Sequence, residues 1–354
     1  MTAHEPALIG LDDPILVTGA AGFIGTRVVE QLLQRGFRQV RALVRPSSDL
    51  TRLEAVARRA SGGAGLAVIR GNLLSRQDCA TACADVAVVF HLAAGRGEKS
   101  VPDAFMNSVV TTRNLLEACV AHARLRRFVN VSSLSVYSNR GASGAVLNEA
   151  SPMETRPELR GDAYSFAKVK QDELVMDYAA RFGIPCVIVR PGYVYGPGNE
   201  AITGRVGVGS FGVFLHLGGA NPLPLTYVDN CAQAILLAGL TPGVDGEVFN
   251  VVDDEVPSSR RFLRLYKANV RRFRSVYVPH AASYALSWLW EAYARWSDNQ
   301  LPPVYNRRVW HAYWKPTRYS NARLKRRLGW QPAVTTAEGL QRYFVSCREK
   351  LRHA

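Results

Sequence analysis

Short runs of consecutive apolar, mostly β-branched residues recur through the first two thirds of the chain, at 15–18, 40–44, 66–70, 86–91, 128–132 and 186–189. Between them, apolar positions recur at helical spacing over 24–35, 50–60, 76–82, 104–123 and 163–182. Uninterrupted apolar strands separated by helices predict a parallel sheet covered on both faces, the doubly wound α/β class. Ligands of such sheets sit at the carboxyl ends of the strands. The rhythm breaks after Pro191. Residues 196–226 hold eight glycines and little periodicity, as in a loop-rich substrate region, before a helix at 228–238 and a strand at 248–252.

The first strand runs into Thr18-Gly19-Ala20-Ala21-Gly22-Phe23-Ile24-Gly25 and then a helix. Glycine at 19, 22 and 25 allows a tight turn, close approach of backbone to a pyrophosphate, and close helix–strand packing. The helix that follows presents free N–H groups and the positive end of its dipole. A glycine triplet alone can be merely structural, but this one opens the first βα unit of the chain. It predicts a Rossmann-type dinucleotide site. The second strand ends on Val44 and Arg45, where an acidic residue would hold an adenosine ribose hydroxyl. The Arg fork suits a 2′-phosphate instead, so NADP(H) is expected ahead of NAD(H), with a solvated surface arginine as the alternative reading. Asn72 and Leu73 close the third strand, within side-chain reach of an adenine.

The fifth strand ends Val131-Ser132-Ser133-Leu134-Ser135-Val136-Tyr137, and Tyr164-Ser165-Phe166-Ala167-Lys168 follows on a helix. Four residues of helix put Tyr164 and Lys168 on one face. An ammonium beside a phenol favours the phenolate and brings the hydroxyl toward neutral-pH acid–base work. A strand-end serine hydroxyl can hold the substrate oxygen that the tyrosine protonates or deprotonates. The pattern predicts a carbonyl/alcohol centre.

With these residues in view, the chain resembles the extended short-chain dehydrogenase/reductases, the NAD(P)-dependent epimerase/dehydratase family. The matching pieces are TGAAGFIG (18–25), NL (72–73), HLAA (91–94), N-x3-T-x2-N-L-L (107–116), VSSLSVY (131–137), YSFAK (164–168), RPGYVYGPG (190–198), YVDN (227–230) and LGWQP (328–332), in family order over nearly the whole chain. The resemblance implies Ser133, Tyr164 and Lys168 as the catalytic set, with Lys168 also on the nicotinamide ribose. It implies Pro191 and Gly192 at the nicotinamide face, and Phe23, Ile24, Leu92, Ala93, Ala94 and Asn107 in the cofactor cradle. Two departures stand out. Sugar-nucleotide members usually carry Asn where this chain has Tyr193, and Asn-Pro where it has Asp162-Ala163.

The expected enzyme is an epimerase or reductase of a nucleotide- or polyprenyl-diphosphate-linked sugar. The alternative is a hydroxyl dehydrogenase or ketone reductase of a steroid- or lipid-like substrate. A non-catalytic, cofactor-binding regulator is the third class. A dehydratase usually adds a carboxylate beside the serine, where Leu134 and Ser135 stand here. Residues 1–190 are expected to form the NAD(P)-binding Rossmann domain. Residues 191–354 are expected to form mainly the substrate-binding part, with 228–252 returning to the core.

Composition changes one thing. The chain has 354 residues and a net charge of +15, yet residues 1–255 hold 24 basic and 25 acidic side chains against 20 and 4 in residues 256–354. The same C-terminal stretch holds all six Trp. Within it, residues 281–296 (AASYALSWLWEAYARW) read as a helix whose polar positions 283, 287, 291 and 295 form one narrow stripe. Three readings compete: burial against the body or a dimer partner, the wall of an apolar substrate pocket, or a helix at a membrane surface with Trp as anchor. The Arg clusters at 260–261, 271–274, 307–308 and 323–327 read as solvated faces, some able to clamp a substrate diphosphate. No motif points to nucleic acid or a metal. The six scattered Cys read as free thiols of a reducing compartment, no leader or spanning helix is apparent, and the expected location is cytoplasmic, with contact at the inner face of the membrane only under the third reading of 281–296. A homodimer is expected.

Overall fold

The computed structural model describes residues 8–59, 65–95, 100–122, 124–141, 143–210, 212–297 and 305–352. In chain order the strands are β1 (Ile15–Thr18), β2 (Val40–Val44), β3 (Leu66–Arg70), β4 (Val88–His91), β5 (Arg127–Val131), β6 (Val146–Leu147), β7 (Cys186–Pro191), β8 (Tyr193–Tyr195), β9 (Gly207–Ser210), β10 (Val213–His216), β11 (Leu225–Tyr227), β12 (Val248–Val251), β13 (Ser275–Tyr277) and β14 (Arg318–Tyr319). The helices are α1 (Phe23–Gln34), α2 (Thr51–Arg59), α3 (Arg76–Cys83), α4 (Val101–Phe105), α5 (Thr111–Val120), α6 (Ala163–Phe182), α7 (Val228–Leu240), α8 (Ser259–Asn269), α9 (His280–Trp296), α10 (Arg307–Tyr313), α11 (Ala322–Leu328) and α12 (Thr336–Arg352).

Seven parallel strands form the central sheet in the order β12-β7-β5-β4-β1-β2-β3. The chain reverses its direction of winding between β1 and β4, whose partners run Ile15↔Val88 to Thr18↔His91. A crevice opens there at the carboxyl ends, the place where open α/β sheets take ligands. The sheet is parallel because its central strands are apolar on both faces: β1, β4, β5 and β7 are buried at every residue. One face is covered by α1 and α7, with Val28, Val29 and Leu32 against Cys231 and Ile235. The other is covered by α3, α5 and α6, with Ala82, Cys83, Leu115, Leu116 and Val175. β3 is the exception, with Ala67 and Val68 open to solvent, because it ends the sheet and lacks a second neighbour.

The sequence segment 104–123 is two helices joined by a π turn at Met106–Val110, and it begins earlier than its periodicity suggests. Ser100 caps it by accepting from Asp103 N at 3.2 Å, and Pro102 occupies the first turn, where a missing N–H costs nothing. The C-terminal part returns to the body. Trp330 is wholly buried, and Tyr343 and Phe344 of α12 pack on Phe262 and Tyr266 of α8. The glycine-rich stretch after Pro191 is partly strand: β8 pairs with β11, and β9, β10 and β13 form a small sheet.

Helix α9 forms where the sequence puts it, but its apolar face is not the one that packs on the body, which removes burial against the body from the first of the three readings. Ser283 and Ser287 are buried, whereas Leu286, Trp288, Leu289, Tyr293 and Trp296 are exposed. The reason lies in its partner, α10. Trp310 donates its indole N–H to Ser283 Oγ at 2.9 Å, and Arg307 grips Glu291 through Nε and Nη2 at 2.9 and 3.3 Å. Ser283, Ser287 and Glu291 of the polar stripe are therefore the docking seam, while Arg295, the fourth position, stays exposed. Among the described residues, no helix is long and apolar enough to cross a membrane.

Candidate active site

A cavity of about 910 Å3 follows the crevice from the end of β2, past the turn after β1, to the ends of β5 and β7. Its volume lies within the usual range for cofactor and ligand sites. At its floor is the glycine turn. Gly19 has φ +67°, a left-handed conformation that favours glycine, and a Cβ there would press on the backbone N of Ala93. A Cβ on Gly25 would collide with the Gly19 carbonyl oxygen. Gly22, at the N-cap of α1, offers no side-chain cap, and the first turn carries no acidic residue. The opening N–H groups of α1 are thus left for an anion, and the backbone can approach it closely. Phe23, Ile24, Leu92, Ala93 and Ala94 line the same space. This cradle fits a dinucleotide pyrophosphate.

At the outer end, Arg45 is exposed and lines the cavity with Ser47, Ser48 and Arg52. Asp49 also lines it, but its carboxylate caps α2, accepting from the N and Oγ1 of Thr51 at 2.9 and 2.6 Å. Those bonds hold its pKa below the usual carboxylate value. Asn72 and Leu73 close this end; Asn72 turns its side-chain oxygen to Leu74 N at 3.0 Å.

Ser133, Tyr164 and Lys168 reach the inner end of the same cavity, with Asn107, Pro191 and Gly192. Ser133 leaves β5 at the start of a single 3-10 turn, and its Oγ accepts from Ser135 N at 3.2 Å. Tyr164 stands in the first turn of α6. Asp162 fixes that turn, accepting from Tyr164 N at 3.1 Å and from Ser165 Oγ at 2.5 Å. The Asp162-Ala163 pair noted in the sequence is thus an N-cap and the first helical residue. Lys168 is buried one turn on. Its ammonium donates to Val131 O and Gln171 Oε1, both at 2.8 Å. Burial lowers its pKa to about 8, partly opposed by the charge of Asp172.

Behind Lys168 runs a buried chain of hydrogen bonds. Gln171 Nε2 donates to Thr112 Oγ1 at 2.8 Å, and Thr112 donates onward to Ser108 O at 2.5 Å. His91 lies 2.8 Å from Thr112 Oγ1 through Nε2 and 2.8 Å from Thr18 Oγ1 through Nδ1. With the Thr112 proton committed to Ser108, Nε2 is the His91 donor and Nδ1 accepts from Thr18. Burial, with Lys168 nearby, drops the His91 pKa to about 3, so the ring is neutral. The chain is a fixed strut between α6 and the end of β1. A second buried set steadies α6 from the other side: Asp172 accepts from Asn130 and from Arg190 Nε, both at 3.0 Å, and Arg190 lies over the Tyr137 ring. Burial raises the Asp172 pKa, and Arg190 opposes that rise.

Some lining residues were not singled out from the sequence. Thr203, Arg205, Ala312 and Tyr313 close the substrate end. Arg205 donates to Ala312 O at 2.9 Å and lies over the Tyr313 and Tyr319 rings, while burial pushes the Tyr313 hydroxyl up to about 12. Their sequence positions, a glycine-rich loop and a short C-terminal helix, carry no motif. None of the four Arg clusters lines the cavity, which corrects the expectation that they clamp a substrate diphosphate. Several are held on the body instead: Arg307 by Glu291, Arg308 by Glu154 and Arg327 by Glu247. Helix α9 supplies no lining residue either, so it is not the pocket wall. Among the described residues, no cluster of three or more His, Cys, Asp or Glu is placed to hold a metal ion.

The model of the NAD dependent epimerase/dehydratase family matches residues 15–251, two thirds of the sequence, and the chain belongs to that family. A 3-beta-hydroxysteroid dehydrogenase of Mycolicibacterium neoaurum is 28% identical over 346 residues, covering 92% of this chain and 89% of that one. A trifunctional UDP-glucose 4,6-dehydratase/UDP-4-keto-6-deoxy-D-glucose 3,5-epimerase/UDP-4-keto-L-rhamnose-reductase of Arabidopsis thaliana is 29% identical over 256 residues, 67% of this chain but 36% of its own length. Among solved structures, UDP-glucuronic acid 4-epimerase of Bacillus cereus in complex with NAD has the same fold, with a TM-score of 0.71, 22% identity, and coverage of 95% of this chain and 99% of that one.

Proposed function

We propose that this member of the NAD dependent epimerase/dehydratase family is an NADP(H)-linked oxidoreductase that interconverts a ketone and a secondary alcohol on an apolar, lipid-like substrate. The observation that carries the reading is the meeting of Ser133, Tyr164 and Lys168 with the glycine turn in one cavity. Gly19, Gly22, Gly25 and the N-terminus of α1 would hold the pyrophosphate, Asn72 and Leu73 the adenine end, and Pro191 and Gly192 the nicotinamide face. A bound nicotinamide supplies or accepts the hydride at the substrate carbon. Ser133 holds the substrate oxygen. Tyr164 gives that oxygen a proton in reduction and takes it in oxidation. Lys168 stabilises the resulting phenolate and binds the nicotinamide ribose.

The substrate class rests on two supports. The steroid dehydrogenase matches over nearly the whole of both chains, whereas the nucleotide-sugar enzyme of Arabidopsis matches two thirds of this one. The cavity lining offers Leu134, Val194, Ala312 and the rings of Tyr193 and Tyr313 beside Asn139, Thr203 and Arg205, and among the described lining residues the one carboxylate is Asp49, at the outer end. The NADP(H) preference rests on Arg45 and Arg52 at the outer end and on Asp49 being occupied as a helix cap.

The test is a panel of cyclic and long-chain ketones and UDP-sugars, offered with each nicotinamide. Net oxidation of NADPH by an apolar ketone is expected. Conversion of a UDP-sugar to its epimer, with no net change in nicotinamide absorbance, would move the assignment to an epimerase.

A further inference from the structure

Helix α9 is amphipathic and sits the wrong way round for a protein in water. One side carries Ser283, Ser287, Glu291 and Ala294, and it is this side that packs on the body. The opposite side carries Leu286, Leu289, Tyr293 and Trp296, spaced by three and four, so that they form one stripe along about 15 Å of helix. Trp296 is 80% exposed, Leu286 59% and Leu289 53%. Trp288 lies at the edge of the stripe and is also exposed. A monomer in water gains nothing from such a stripe; exposed apolar faces of this kind mark a surface meant to be covered.

The charge around the helix selects what covers it. From residue 256 to 297 the chain carries eight Lys and Arg and one acidic residue, Glu291. Glu291 is turned to the body and held by Arg307, so the negative charge is spent inward. Arg271, Arg272 and Arg274 are exposed just before β13, whose Val276 and Tyr277 are also exposed and lead into α9. Arg295 flanks the stripe beside Trp288 and is exposed. Two copies meeting through this face would set like charges against each other. An anionic bilayer surface meets both requirements: its acyl boundary takes Leu and Trp, its headgroup layer takes Tyr and Trp, and its phosphates attract the flanking arginines.

We propose that α9 lies flat in the surface of an anionic lipid bilayer, with Leu286, Leu289, Tyr293 and Trp296 inserted and the surrounding arginines on the headgroups. The contact does not pull α9 off the body, because Ser283 and Glu291 keep their bonds to Trp310 and Arg307. It also places one helix, α10, between the lipid contact and the cavity. Tyr284 packs edge-on against Trp310 at 5.0 Å, and α10, which carries Trp310, ends on Ala312 and Tyr313 in the cavity wall. The proposal is read without turnover, so it stands or falls apart from the substrate assignment.

Flotation of the full chain with vesicles tests it. Equal parts of phosphatidylglycerol and phosphatidylcholine should carry the protein upward at low salt, while pure phosphatidylcholine and high salt should leave most of it behind. The double variant Leu289→Glu/Trp296→Glu should lower the bound fraction by about tenfold or more, with cofactor affinity unchanged as proof of folding. Arg271→Glu/Arg272→Glu, off the helix, should lower it by a smaller factor and weaken its salt dependence. No binding of the wild-type chain to the anionic vesicles at low salt overturns the proposal. So does equal flotation of the Leu289→Glu/Trp296→Glu variant. A wild-type dimer that Leu289→Glu splits, with no vesicle binding, gives the face to a second copy instead.

Discussion

Helices α1 and α9 are both amphipathic, and they use the property in opposite senses. Along α1, Val28, Val29, Leu32 and Leu33 turn to the sheet and Gln34 lies in solvent. Along α9, two serines are buried and two leucines and two tryptophans are exposed. The rest of the molecule follows α1. Trp310, Trp314 and Trp330 are buried within the same basic third of the chain in which Trp288 and Trp296 are exposed. What separates the two regions is what each meets. The apolar stripe of α1 meets a sheet that needs covering. The face of α9 that meets α10 finds an indole N–H and a guanidinium, which bond to a serine and a glutamate. Periodicity defines the faces of a helix; the partner decides which face goes in.

Substitutions in the two regions should have unequal effects. The largest effect is expected at the glycine turn: Gly25→Val drives a side chain into the Gly19 carbonyl, and thermal unfolding should register a loss of about 3 kcal/mol or more, with cofactor binding lost. Next comes the direct contrast between the helices. Leu32→Ala, at a site with no exposure, should cost about 2–5 kcal/mol in denaturant unfolding. Leu289→Ala should change stability by less than about 0.5 kcal/mol. Equal costs would mean that α9 buries its apolar face in solution.

A smaller effect separates the roles of charge. Lys168 has a pKa near 8 in the folded protein against 10.5 for the free side chain. In the proposed mechanism the ammonium is the form that assists Tyr164, so kcat/KM for reduction should fall as pH rises through about 8. In Lys168→Arg that limb should move well above this range. An unmoved limb would assign it to another group. The same shift has a stability signature. Between about 8 and 10.5 the unfolded chain holds a proton that the folded one does not, so this group's unfavourable contribution shrinks as pH rises through that window. The smallest effect is expected at Arg45. On the proposed reading that Arg45 meets a 2′-phosphate, Arg45→Asp should shift the NADP/NAD preference by about tenfold toward NAD, read from the two Kd values. Unchanged selectivity would leave Arg52 as the reader of the phosphate.

Much of the body was legible in the sequence because its signals are local. β1, β2, β3 and α6 fall at the residues that apolar runs and helical periodicity give. The glycine turn and the Tyr164–Lys168 pair sit on elements that the pattern defines, and those elements converge on one crevice once the strands are parallel. Features that depend on distant partners were not legible. Arg205 and Tyr313 join the cavity from a loop and a helix more than a hundred residues apart. The strut from Lys168 to Thr18 draws on four separate elements. The orientation of α9 depends on Trp310 and Arg307, which follow it in the chain and have no periodic mark. The Arg clusters looked like candidates for substrate contact because charge is visible in a sequence, whereas the carboxylates that hold several of them lie far away.

The proposed role of Tyr164 is to move the proton at a substrate oxygen beside a nicotinamide. It is tested most directly by comparing Tyr164→Phe with the wild-type chain in two measurements, NADPH affinity and single-turnover ketone reduction. The substitution removes one hydroxyl and leaves Asp162, Lys168 and the glycine turn in place. NADPH affinity should be unchanged and the rate lower by about 10²–10⁴-fold. Reduction at the wild-type rate in Tyr164→Phe would contradict that role.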